Sequence, residues 1–113
     1  MRLLDVEVGL LFEGMEINCP GYGRVMADFV YAERELVSHG DVTFFEIGPC
    51  AVDCIGLWET GEEQIWLAVP LSPLVGHKLP LRLDWKTSLQ FMPGQIAIKF
   101  GPHVQLRDLI RSA

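Results

Sequence analysis

The sequence predicts an α+β domain, a mainly antiparallel sheet packed on or curled around one helix, and three observations point to it. The opening stretch alternates apolar and polar residues, residues 22–37 carry apolar side chains at helical spacing, and the chain from Asp41 onward is rich in strand formers broken by Gly and Pro. If the middle stretch is read as alternating instead, the same order gives the alternative architecture, an all-β partly open barrel. With 113 residues, the chain reads as one domain over 1–113, long enough to bury a working core without metals or disulfides.

The first element is a half-buried strand. Leu4, Val6, Val8, Leu10 and Phe12 share one parity, while Asp5, Glu7 and Glu13 fall on the other. Asn18-Cys19-Pro20-Gly21-Tyr22-Gly23 is a turn-rich break. The helix is expected over about residues 24–38, because Tyr22, Val25, Met26, Phe29, Val30, Leu36 and Val37 recur near the i, i+3, i+4 spacing of an amphipathic face. The segment AEREL supplies good helix formers, and Gly40 is a plausible stop. Against it, Val25, Ala27, Phe29 and Tyr31 also alternate as a strand would.

Strands follow in DVTFFEI and CAVDCIGLW, with QIWLAV after an ETGEE turn. A Thr60–Glu62 loop would set Leu57 opposite Ile65 and Ile55 opposite Leu67, with Trp58 and Gln64 paired on the other face. The three prolines of residues 70–80 mark a connection, since proline cannot donate in a ladder. Leu79, Leu81, Leu83, Trp85, Thr87, Leu89 and Phe91 then share the buried face of one strand, and a Pro93-Gly94 turn pairs it with the next, Phe91 opposite Ile96. Val104, Leu106, Leu109 and Ile110 suggest a short C-terminal helix.

Half of the residues are hydrophobic and the mean hydropathy is +0.25, rich for a small monomer, so an apolar patch is expected: most simply a homo-oligomer interface, a dimer first, and otherwise a groove for a small apolar ligand. The net charge of −6 is unevenly placed, with residues 1–64 carrying 3 basic and 13 acidic side chains and residues 65–113 carrying 6 and 2. Either the halves interleave and neutralise each other, or a bipolar surface favours self-association or a charged partner. The acidity opposes nucleic acid, since Lys78, Arg82, Lys86 and Lys99 are interrupted by Asp84. No apolar run approaches a membrane span and no export signal precedes Asp5 and Glu7, so a cytoplasmic protein with no membrane partner is expected, its three cysteines reduced.

No cofactor or metal is implied. Cys50 and Cys54 share a strand face but lie about 13 Å apart at ~3.3 Å per residue, too far for a disulfide or one tetrahedral metal. Tyr22 sits in a lone G-x-G, which reads as a turn, and no Ser or Cys stands in a nucleophile-elbow context. His39, His77 and His103 each neighbour Gly or Pro and read as loop residues.

Glu46 and Asp53 are the weak catalytic candidates, because strand parity turns each toward the core, where a carboxylate must be paired or shift its proton affinity. Trp58 and Trp66 fall on the parity opposite to Ile55, Leu57, Ile65 and Leu67, so both faces of their hairpin are apolar. Trp58 and Trp66, with Glu46, Asp53 and His77, form the candidate ligand or interface set. The preferred function is a small binding or interaction module that self-associates through an apolar sheet face. The alternatives are a small enzyme of roll-like (hot-dog or cystatin-like) layout with a pocket carboxylate acting on a small or acyl-type substrate, and an acidic inhibitor or immunity-type factor.

Overall fold

A computed structural model describes residues 2–71 and 80–101. Among these residues there is no helix, and the fold is all-β with a nearly closed, barrel-like sheet. The α+β expectation is overturned, and the all-β alternative fits. The proposed C-terminal helix and most of the proline-rich connection lie outside the described residues, as do His77 and His103.

The strands are β1 (Arg2–Phe12), β2 (Met15–Glu16), β3 (Val25–Ala32), β4 (Glu35–Ser38), β5 (Val42–Ile47), β6 (Cys50–Val52), β7 (Cys54–Glu59), β8 (Leu67–Pro70), β9 (Leu81–Leu83), β10 (Thr87–Phe91) and β11 (Ala97–Lys99). The main sheet runs β11-β4-β3-β1-β7-β8, with β2 paired to β1; β5 pairs with β10 and β6 with β9. Strand β1 is central, and its alternation survives: Val6, Val8 and Leu10 are buried in a core completed by Phe29, Leu36, Val42, Phe44, Ile55, Leu57 and Phe91.

The expected helix is a β-hairpin. β3 and β4 join through Glu33 and Arg34, both at positive φ (53° and 59°), the two-residue turn whose twist suits antiparallel strands. Such turns favour Asn and Gly. Glu and Arg hide the signal, while the apolar residues on both strand faces mimic a helical stripe. The strand parity of Val25, Ala27, Phe29 and Tyr31 is the inward one.

Two ladder registers also differ from expectation. β7 pairs with β8 two residues further on, Leu57 opposite Leu67 and Ile55 opposite Val69, which keeps every side chain on its expected face and lengthens the loop. The Pro93-Gly94 turn forms, with Gln95 N–H donating to Met92 O at 3.0 Å, but it is a corner between ladders: β10 pairs with β5 and β11 with β4. Ser38, 2% exposed, holds that corner. Its carbonyl accepts from Gly94 N–H (2.8 Å) and its Oγ from Ile96 N–H (3.3 Å). The expected long strand 79–91 breaks at Asp84–Lys86, where Lys86 takes φ 55°, and this turns Trp85 outward instead of into the core.

Candidate functional site

Two features meet at Glu16, a charged cluster on one side and a cleft on the other. The Glu13–Gly14 turn, at φ 51° and 81°, folds β2 back on β1 and sets Glu16 opposite Leu11. The Glu16 carboxylate accepts from Arg24 Nε at 2.9 Å and Nη2 at 3.0 Å, a bidentate pair, and from the Tyr22 hydroxyl. Arg24 Nη1 reaches Glu7 Oε1 and the Glu62 carbonyl, each at 3.3 Å. Charge-assisted forks of this kind fix orientation as well as energy. The bond from Arg24 holds the Glu16 carboxyl below its ordinary proton affinity, while Glu16 holds Arg24 more firmly protonated. Burial, then the bond to Glu16, pushes the Tyr22 hydroxyl well up.

This cluster answers what covers Trp58. The Arg24 guanidinium stacks 3.9 Å from the centroid of the Trp58 ring. Beneath the ring are Gly9 and Gly56, where an added Cβ would come within 2.7 Å of it. The Trp58 indole N–H donates to Glu63 O at 3.2 Å, and Gly61 N–H donates to Glu7 Oε2 at 2.8 Å. The lengthened β7–β8 loop is therefore laid over the indole, and Trp58 is only 3% exposed. Trp66 is half-buried against the core edge; its indole N–H is buried without a partner among the described residues.

The cleft on the other side of Glu16, of about 460 Å³, runs between the β1–β2 hairpin and the start of β6. Phe12, Met15 and Ile17 give it an apolar wall, and Cys19 and Cys50 stand in it together. Burial, with the neighbouring Cys19 thiol adding to it, pushes the Cys50 thiol up to about 12. Cys54 sits apart on β7, its thiol donating to Ile55 O at 3.6 Å, and is raised by burial first and by Asp53 second.

The two carboxylate candidates are not brought together. Asp53 lies in the break between β6 and β7, where its Oδ2 accepts from Glu13 N–H at 3.2 Å and so braces the β1–β2 turn. Glu46 takes φ 49° at a bulge where β5 gains a residue against β10, which ends the alternation and leaves it exposed, its N–H bonded to Ser88 Oγ at 3.1 Å. Neither lines the cleft. No group of three or more His, Cys, Asp or Glu among the described residues is placed to hold a metal ion, and no helix among them is long and apolar enough to cross a membrane.

Sequence reasoning missed Glu16, Tyr22, Arg24, Cys19 and Phe45. Glu16, Tyr22 and Arg24 meet beside β1, and Cys19 meets Cys50 where the Pro20–Gly48 bond joins their segments, contacts that local spacing does not encode. Phe45 is legible as lying on the parity opposite to the buried Val42 and Phe44. Comparison of the chain with protein-family models, with curated proteins and with solved structures finds no match.

Proposed function

We propose that the chain is a small binding module that self-associates as a two-fold dimer through the outer face of the β5–β10 ladder. The observation that carries this reading is the exposure of two large aromatic side chains, Phe45 on β5 at 72% and Trp85, in the turn that leads into β10, at 61%. Aromatic anchors of this size dominate interface energetics. Their backbone is held in place by the Glu46–Ser88 bond and by Thr87 Oγ1 donating to Asp84 O at 2.9 Å, so little ordering is left to oppose binding. Self-association thus moves from Trp58 and Trp66 to Phe45 and Trp85.

The occupant argued for is a second copy because a two-fold interface must be complementary to itself. Each aromatic is followed in the chain by an exposed charge, Glu46 after Phe45 and Lys86 after Trp85, and the exposed Asp84 precedes Trp85. Across a two-fold axis Glu46 of one copy meets Lys86 of the other, which offsets the repulsion of two chains each carrying −6. Three free thiols support a reducing, cytoplasmic setting.

Sedimentation velocity across the micromolar range tests this reading. The wild-type chain is expected to dimerise with concentration, and Phe45→Ser with Trp85→Ser to stay monomeric while folded. A wild type that remains monomeric, or one whose dimer survives both substitutions, overturns it. A second reading rests on the cleft, whose volume suits a small molecule and whose Phe12, Met15 and Ile17 wall suits an apolar one.

A further inference from the structure

The cleft holds two thiols from distant parts of the chain. Cys19 lies in the turn leading away from β2, and Cys50 opens β6. The two segments are joined by Gly48 N–H donating to Pro20 O at 3.2 Å. They are also seated closely at Gly21, where an added Cβ would lie 2.5 Å from the Glu46 carbonyl oxygen. Both thiols are free, half-buried and in the wall of one cleft open to solvent. The third thiol, Cys54, is turned to its own strand by its bond to Ile55 O.

We propose that Cys19 and Cys50 are a dithiol site that reacts with small oxidants of the disulfide class, closing an intramolecular disulfide across the cleft. This site is independent of the dimer face. Either thiol can open the reaction. Where Cys19 attacks first, its sulfur, having lost its proton, displaces one thiolate from the oxidant, and a mixed disulfide forms at Cys19 as the oxidant's S–S bond breaks. Cys50 then gives up its proton and attacks the Cys19 sulfur, expelling the second thiolate. The two departing thiolates take up the two protons. Two protein thiols are oxidised to one disulfide, and one small disulfide is reduced to two thiols. The product pins the 18–21 turn to β6 and narrows the cleft.

The test incubates the full chain, folded, with oxidised glutathione at mildly alkaline pH, then alkylates and maps the thiols. Free thiols are expected to fall from 3 to one, that of Cys54, with a Cys19–Cys50 linked peptide that dithiothreitol reverses. Cys54→Ser should close fully, and Cys50→Ser should stop at a mixed disulfide on Cys19. A thiol count that does not fall, a link to Cys54 or to a second molecule, or a wild type that halts at the mixed disulfide overturns the proposal. Should Cys50→Ser fail to fold, the wild type and Cys54→Ser decide it.

Discussion

Arg24 lies over Trp58, its guanidinium carbon 3.9 Å from the ring centroid, while its nitrogens bond Glu16 and Glu7. The cation and the β7–β8 loop, through the bond from the indole N–H to Glu63 O, together cover the indole. Arg24→Ala uncovers the indole on that side and leaves Glu16 and Glu7 without their cation, each with one hydrogen bond remaining, from Tyr22 and from Gly61 N–H. A loss of about 2 kcal/mol in urea unfolding is expected, combining a cation–π contact with partly exposed ion pairs. Arg24→Lys should recover less than half of it, because an ammonium has no bidentate fork.

Gly9 and Gly56 form the floor under the same ring. An alanine Cβ at Gly9 would sit 2.7 Å from the Trp58 ring and 2.5 Å from the Tyr22 hydroxyl. Gly9→Ala is expected to cost about 1–3 kcal/mol through overpacking. A shifted tryptophan emission should accompany the loss.

Tyr22 gives the stability curve an alkaline limb. Its folded proton affinity is raised by burial and by the bond to Glu16, so the protonated hydroxyl favours the fold. The contribution is complete below the ordinary tyrosine value of 10.0 and is lost as pH rises beyond it. Absorbance of the Tyr22 phenolate should appear together with unfolding, and Tyr22→Phe should flatten the limb.

Asp5 and Asp28 stand directly opposite on β1 and β3, and the bond and charge of Asp28 raise the Asp5 carboxyl. The shared proton stabilises the pair fully below the ordinary aspartate value of 3.8, and that contribution is lost as pH rises through the raised value. At neutral pH the pair is repulsive. Asp28→Asn should therefore raise the unfolding midpoint at neutral pH, with little change in strong acid.

Ser38 offers a neutral counterpart. Removing its hydroxyl with Ser38→Ala leaves Ile96 N–H without its side-chain acceptor in a buried corner, a cost of about 1–2 kcal/mol. Thermal melts of the folded chain check it.

Much of the sheet was legible in the sequence where one face is buried and the other wet. Val6, Val8 and Leu10 announced β1, and the face assignment of Leu57 and Leu67 survived a register shift of two. What failed did so for local reasons. The Glu33-Arg34 turn carries no Gly, Asn or Asp, so a hairpin passed for a helix. The Pro93-Gly94 turn has positive φ only at Gly94 (82°) and so matches strand twist less well than a primed turn, and the Ser38 bonds make it a corner. Glu46 and Trp85 were placed by alternation, which a residue in the left-handed region interrupts in each segment. The node at Arg24 and the thiols in the cleft depend on tertiary pairing that no window of sequence contains.

The charge pattern of the dimer face gives the most direct test, by sedimentation equilibrium on Glu46→Lys, Lys86→Glu and the double exchange. Each single change sets like charges across the two-fold axis and should weaken the dimer by about tenfold. The double exchange, which restores opposite charges, should return the wild-type association. A monomeric wild type, or a double exchange no better than its two parents, would contradict self-association through Phe45 and Trp85.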